Sequence, residues 1–311
     1  MYQLGNIPTI NDNLSEIADF IELKCFFSSG ESFSLESARK IMAIESDEFS
    51  YDGVNDNDDN LYNKLTEVFA ELKRRLNDCG GHYPFEIKDD TLLEIDSECS
   101  SEVKDCYLYL LFATRANMNK DNGFGSPKKY ATLLFEKLSE LVAQSYFGNR
   151  SKTMVFGTSE GMNFKSKVEK MFDCLNFNAH MHEPQGSTGQ QKDGKLDILV
   201  WTPFSDCRDS MFIGFGQCKT GTSWEDKLSE LQPSNFFGNY SDYTPIHPPA
   251  RLFFLADSIS EAKEKWEERT RSAGIMFDRR RIMEFLPQKL PENLFSDIRS
   301  WNLYIKQKYK L

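Results

Sequence analysis

Three polar side chains stand at the ends of two short apolar runs of strand length. Asp197 lies near the start of the run Leu196–Trp201, and Gln217 and Lys219 close the run that begins at Met211. A carboxylate and an amide carbonyl offer the hard oxygen atoms that Mg²⁺ prefers, and an ammonium group can stabilise charge that develops at an attacked phosphate. These residue types predict a site suited to metal-assisted hydrolysis of a phosphodiester bond.

The alternation of side chains along a strand supports this grouping. Successive residues point to opposite faces, so Ile213, Phe215, Gln217 and Lys219 share one face of the second run. Burying an amide or an ammonium group is costly when it has no partner. We therefore expect Gln217 and Lys219 to point together toward whatever Asp197 also faces.

Helices and further strands are predicted around these residues. The segment from Pro127 to Gly148 has apolar residues at helical spacing and ends in glycine, which is typical of a helix C-terminus. The other predicted elements are a strand at Thr153–Phe156, helices at Lys165–Leu175 and Trp224–Leu231, and a third apolar strand at Arg251–Ala256. This order predicts an α/β fold in which a central mixed β-sheet is flanked by helices.

Composition limits the class of protein. The 311 residues are 40% hydrophobic, which is enough for a well-filled core. We expect a cytoplasmic protein with no membrane association, because the sequence has neither a long apolar run nor a secretory leader. The 7 cysteines include no CxxC pair, so the sequence suggests neither a disulfide framework nor a zinc ribbon.

Charge is distributed unevenly along the chain. The net charge is -11, which argues against a protein that coats nucleic acid by bulk electrostatics. Residues 1–125 hold 25 acidic and 11 basic side chains, whereas residues 126–311 hold 23 and 26. We therefore predict an acidic, mainly helical N-terminal domain at 1–125 and a second domain at 126–311, joined at the Asn- and Gly-rich segment 117–125.

The motif GKLDILVW followed by GFGQCKTG resembles the D…QxK form of the PD-(D/E)XK, restriction-endonuclease-like nuclease superfamily, as in Mrr-like restriction endonucleases. The similarity covers roughly residues 126–257. Gln217 stands where most of the superfamily has Glu or Asp, a replacement that Mrr-like members share. Phe135-Glu136 is similar to their Phe-Glu step on the helix before the sheet. The resemblance therefore implies Glu136 as a further metal ligand, with Glu140 as the reserve.

The resemblance also implies a fold and an activity. We expect a restriction-endonuclease-like core at 126–311 that cleaves phosphodiester bonds with Mg²⁺, or with Mn²⁺ as a substitute. Asp197, Gln217, Lys219 and Glu136 would be the catalytic residues, and all but Lys219 would bind the metal. DNA is the expected substrate by similarity, although nothing in the sequence separates DNA from RNA. Nucleases of this kind resemble effectors of bacterial restriction or anti-phage defence, which implies an ATPase, helicase or sensor subunit as partner and a homo-oligomer that cuts both strands.

The densest basic cluster is Arg279, Arg280 and Arg281, which could grip a nucleic-acid backbone or could form a solvated face. The acidic N-terminal domain could mask such a basic face until a partner displaces it. Both are hypotheses from charge alone.

Several alternatives stay open at this stage. A catalytically weak nucleic-acid-binding or adaptor protein could retain the fold, because Gln217 lowers the charge at the metal site. The GTSEG motif fits GxSxG, which would make Ser159 the nucleophile of a serine hydrolase. His180 and His182 could bind a metal, although no third ligand is evident. Thr222–Trp224 could begin a helix whose N-terminus positions a phosphate, or could simply cap it.

Overall fold

The computed structural model describes residues 2–45, 56–156, 163–182, 194–260 and 262–311. In this part of the chain, helices surround a mixed sheet and form most of the N-terminal portion. The helices are α1 (Leu14–Phe27), α2 (Leu35–Glu45), α3 (Asp56–Asp78), α4 (Ser101–Arg115), α5 (Met118–Asp121), α6 (Ala131–Phe147), α7 (Phe164–Leu175), α8 (Pro233–Tyr240), α9 (Lys263–Ala273), α10 (Arg279–Glu284) and α11 (Glu292–Tyr309). None of these helices is both long and apolar enough to cross a bilayer.

The strands of the described residues form a small N-terminal sheet, a two-stranded ladder and one larger sheet. They are β1 (Ser32–Ser34), β2 (Phe85–Lys88), β3 (Leu92–Ile95), β4 (Gly123–Phe124), β5 (Lys129–Tyr130), β6 (Lys152–Val155), β7 (Ile198–Thr202), β8 (Phe212–Lys219), β9 (Ala250–Leu255) and β10 (Ile275–Phe277). The large sheet has the order β10-β9-β8-β7-β6. The predicted mixed sheet flanked by helices is therefore confirmed.

Strand β8 lies at the centre of the large sheet and changes its direction of pairing. It pairs antiparallel with β7, with Ile198 opposite Gly216, and parallel with β9, with Lys219 opposite Leu255. A Cβ atom at Gly214 would lie 2.7 Å from Val200 Cγ1, so glycine permits the close approach of the side chains around this strand. The carboxyl ends of β8, β9 and β10 consequently lie along the same edge of the sheet.

The two faces of the sheet bury different clusters. On the face that we call the α6 face, Ile198, Val200, Leu252 and Phe254 join a core that α1, α4, α6 and α11 also share. On the α7 face, side chains of β7 and β8 pack against α7 and α8; they include Leu199, Trp201, Ile213 and Phe215. The core of the α6 face contains residues from both sides of the predicted boundary at 125/126.

The structure corrects three local predictions. Helix α6 begins at Ala131 and not at Pro127, because Lys129 and Tyr130 pair with β4 as a short strand. A helix does not form over Trp224–Leu231, where only Glu225–Lys227 adopts a 3₁₀ turn. Strand β10 and helix α8 were missed, since each is short and its apolar residues are buried only by the tertiary fold.

Candidate active site

The antiparallel pairing of β7 and β8 brings Asp197 beside the end of β8. The Asp197 N–H group donates to the Gly216 carbonyl at 2.9 Å, and the Cys218 N–H group donates to Asp197 Oδ2 at 2.8 Å. One carboxylate oxygen of Asp197 is therefore fixed against the backbone between Gln217 and Lys219. The predicted adjacency of these three residues is observed.

Gln217 is buried with an unsatisfied oxygen atom. Its side chain is 1% exposed, and Nε2 donates to Glu230 Oε2 at 3.0 Å. Its Oε1 atom is buried and accepts no hydrogen bond from the described residues. An acceptor left in this state costs about 1–3 kcal/mol, which a cation or a donor group at the site would recover.

Lys219 extends from the last position of β8 toward the same carboxylate. Its Nζ atom lies 3.5 Å from Glu230 Oε2, and its side chain is 27% exposed. By the alternation of the strand, Gln217 and Lys219 lie on the α7 face, as the sequence predicts. The ammonium group is thus held at the rim of the site and remains open to solvent on one side.

Glu230 is the site carboxylate that the sequence reasoning missed. Besides Gln217 and Lys219, it binds Lys227, whose Nζ lies 3.0 Å from Oε1. Burial acts to raise the pKa of Glu230, but the hydrogen bond from Lys227, the charge of Lys219 and the hydrogen bond from Gln217 hold it below its usual range. Glu230 is therefore an anion that neutralises a cationic rim. Its position depends on the irregular turn that replaces the predicted helix.

Glu136 approaches from the opposite face of the sheet. It lies on α6 with its Oε2 atom buried. Burial raises the pKa of the Cys218 thiol, and the nearby charges of Asp197 and Glu136 raise it further. Both carboxylates therefore lie close to Cys218, which packs on the α6 face. Glu140, the reserve candidate, lines a groove with Met154 and Pro291.

The oxygen donors fit a hard divalent cation. Mg²⁺ is bound through one or two carboxylates and keeps several waters, so it does not require a complete cage of protein ligands. Asp197 supplies a carboxylate, Gln217 an unsatisfied carbonyl, and Glu230 an anion bonded to that amide. Within the described ranges, no group of three or more His, Cys, Asp or Glu side chains is arranged to hold a metal ion.

The predicted basic cluster does not form an open phosphate-binding surface. Arg279 is fully buried, and its Nη1 and Nη2 atoms donate to Asp19 at 2.7 and 3.0 Å. Arg280 pairs with Asp78 and Asp278, and the Arg281 guanidinium lies 4.6 Å from the centre of the Trp266 ring. Arg279 thus has a structural role in place of the predicted contact with nucleic acid.

A buried charge network surrounds Asp19. Asp19 also accepts hydrogen bonds from Arg75 and Arg115, each at 2.7 Å. Acidic groups of the N-terminal portion therefore do meet the cluster at 279–281: Asp19 binds Arg279 inside the core, and Asp78, which is 51% exposed, pairs with Arg280 at the surface. We call these residues the Asp19 network: Asp19, Glu22, Arg75, Arg115 and Arg279.

The remaining candidates lie elsewhere. The His180 N–H group donates to the Asp242 carboxylate, and the neighbouring Met181 forms a β-bridge with Ser241. Ser159 lies outside the described residues. Thr222 and Ser223 line a cavity and do not start a helix of phosphate-binding length.

Comparison with protein-family models, with curated proteins and with solved structures finds no match for this chain.

Proposed function

We propose that this chain is a metal-dependent nuclease with a restriction-endonuclease-like core, and that Asp197, Gln217 and Lys219 form its active site. The observation that carries the proposal is the buried Oε1 atom of Gln217, which has no hydrogen-bond partner among the described residues, in a strand end where Asp197 binds the next backbone N–H group and Lys219 is 27% exposed. A buried acceptor of this kind is uncommon unless a ligand completes its bonding. A divalent cation and a phosphate together would do so.

Each residue has a defined task in this proposal. The Asp197 carboxylate, which accepts a hydrogen bond from the Cys218 N–H group, and the Gln217 carbonyl would hold the cation. A bound Mg²⁺ would supply positive charge next to the scissile phosphate. Lys219 leaves Glu230 to hold the attacking water and to stabilise charge on the phosphate oxygens. Glu230, which binds the Gln217 amide, and Glu136, from the α6 face, would add negative charge near the cation.

The wider role is proposed by resemblance alone. DNA is the proposed substrate, a defence system the proposed setting, and a homo-oligomer with an ATPase, helicase or sensor subunit the proposed assembly. These proposals follow from the D…QxK motif and the order of strands around it.

The test is cleavage of plasmid and linear DNA by wild type and by Lys219→Ala, with Mg²⁺, with Mn²⁺ and with EDTA. We expect metal-dependent cutting that the variant loses by about 100-fold or more, because one preorganised group that stabilises transition-state charge contributes about 10²–10³ in rate. Lys227→Ala is the matched control, since Lys227 binds the same Glu230 but lies outside the strand. Equal activity of wild type and Lys219→Ala would refute the assigned site.

A second candidate function is nucleic-acid binding without cleavage. One feature favours it: the Glu230 carboxylate accepts hydrogen bonds from both Gln217 and Lys219. If this function is correct, wild type binds DNA but leaves it intact under every metal condition, and Glu230→Gln strengthens binding without creating activity.

A further inference from the structure

A cavity opens at the carboxyl ends of β8 and β9, next to the strand end that carries Lys219. Its volume is about 370 Å³, and its walls come from the start of α1, the turns after β8 and β9, and α9. Volumes of about 300–1,000 Å³ are typical of small-molecule sites, and the carboxyl ends of strands in α/β sheets commonly hold ligands. Thr222 in its wall follows Lys219 by three residues, so their Cα atoms are at most about 11 Å apart.

Hydrogen-bond acceptors line this cavity. Asp257 receives hydrogen bonds from Ser258 N and Arg115 Nη2 through Oδ1 alone, and its side chain is 14% exposed. Its Oδ2 atom has no partner in the described part of the chain. Ser258 is 2% exposed, and its buried Oγ atom also lacks a hydrogen-bond partner there. Two adjacent polar side chains thus have unused bonding capacity at a concave surface.

Arg269 of α9 also lines this cavity. The Arg269 guanidinium lies 4.6 Å from the centre of the buried Trp224 ring, and Glu225 binds its Nη2 atom at 2.6 Å. These two contacts hold the guanidinium plane in a fixed orientation. Nucleic-acid bases stack on arginine planes of this kind as well as on aromatic rings.

The charge of the lining decides which ligand the cavity accepts. Among the described residues that line it, four carry carboxylates, Glu16, Glu225, Asp226 and Asp257, and one is basic, Arg269. This excess of negative charge repels a phosphate group. It favours a planar group that donates hydrogen bonds, and carboxylates accept readily from the exocyclic amine of a base.

We propose that this cavity binds a nucleobase with an exocyclic amine, adenine or cytosine, through Asp257 Oδ2 and Ser258 Oγ, with the ring against Arg269. The base comes either from the substrate, as an unpaired nucleotide displaced from its stack, or from a free nucleoside or nucleotide. The first source rests on the proposed nuclease function, whereas the cavity itself does not.

The experiment is calorimetric titration of the full chain with two matched pairs, adenosine against inosine and cytidine against uridine. Each pair differs by an amine that is replaced with a carbonyl oxygen. We expect the amino member to bind about 10-fold to 100-fold more tightly, which is the range for one hydrogen bond to a charged acceptor. Equal affinities within both pairs, or no binding of any of the four, would overturn the proposal.

Two variants localise the binding. Asp257→Asn replaces an acceptor with a donor, so the preference for the amino member should disappear or reverse. Ser258→Ala should weaken adenosine binding by about 2-fold to 10-fold without loss of stability, because the deleted hydroxyl makes no bond within the described fold. Ser205→Ala, at an exposed serine elsewhere, is the matched control. Unchanged adenosine binding by both Asp257→Asn and Ser258→Ala would place the ligand at another site and refute the assignment.

The source of the base is decided with Lys219→Ala and single-stranded oligonucleotides of deoxyadenosine or deoxyinosine. Tighter binding of the deoxyadenosine oligonucleotide, with competition by adenosine, identifies the substrate as the source. Adenosine binding that neither oligonucleotide displaces identifies a free ligand. If wild type binds adenosine but cuts no nucleic acid, the proposal of a nucleobase site stands and the proposal of a nuclease is refuted. The two proposals can therefore fail separately.

Discussion

Replacing Asp19 with asparagine tests how much the Asp19 network contributes to the fold. Asp19 is fully buried and binds three guanidinium groups, those of Arg75, Arg115 and Arg279. Asparagine has nearly the size of aspartate but no charge. Its NH₂ group, which is itself a donor, would face the guanidinium N–H groups. Breaking a buried ion pair by removing one partner costs about 3–5 kcal/mol. We expect a loss of unfolding free energy in that range for Asp19→Asn.

Urea unfolding followed by circular dichroism measures this loss. If the urea dependence is about 3 kcal/mol per molar, the midpoint should fall by roughly 1 M or more. Asp206→Asn is the control, because Asp206 is exposed and its carboxylate contacts Arg208 alone among the described residues, the backbone N–H group at 3.2 Å and the guanidinium group at 3.7 Å, so it should change stability by about 0.5 kcal/mol or less. A loss below about 1 kcal/mol for Asp19→Asn would refute the reasoning, since exposed ion pairs contribute as much.

The same pair of proteins gives a pH prediction. Burial acts to raise the pKa of Asp19, but Arg115, Arg279 and Arg75 hold it below its usual range. A carboxyl group whose folded pKa is lowered contributes stability above its unfolded pKa, about 3.9, and that contribution is lost as the pH falls toward the folded pKa. The difference in unfolding free energy between wild type and Asp19→Asn should therefore stay constant, within experimental error, from about pH 5 to about pH 7. It should shrink below about pH 4. A difference that grows on acidification would contradict the assignment.

Two further changes test the sheet and the site. Gly214→Ala should destabilise the protein by about 1–3 kcal/mol in urea, because the added Cβ would lie 2.7 Å from Val200 Cγ1 and 3.0 Å from Leu252 Cδ1; Gly238→Ala, where a Cβ meets nothing within 4 Å, is the control. Glu230→Gln should raise the Mg²⁺ concentration needed for half-maximal cleavage by about 10-fold to 100-fold, the cost typical of losing a residue that supports a metal ligand; an unchanged requirement would remove Glu230 from the metal site.

Sequence periodicity was sufficient to predict the positions of residues that lie on regular helices and strands. Alternation along β8 and the apolar run of β7 predicted that Asp197 would lie beside the end of β8, because neighbouring strands with a short connection have few alternatives. It was insufficient for Glu230, whose contact with Gln217 depends on an irregular turn. It was misleading for Arg279, whose partner Asp19 is 260 residues away in the chain. Local charge density cannot distinguish a buried arginine from an exposed one.

The same long sequence separation affects how the chain matures on the ribosome. At about 5–20 residues per second, a ribosome needs roughly 13–52 s to extend the chain from Asp19 to Arg279. During that interval α1 carries a carboxylate and an apolar face that have not yet met all their partners, since the core of the α6 face also includes α11. Loops this long close at a high entropic cost, which slows folding. The N-terminal helices should therefore be the part of the nascent chain that most needs protection from aggregation, although they are synthesised first.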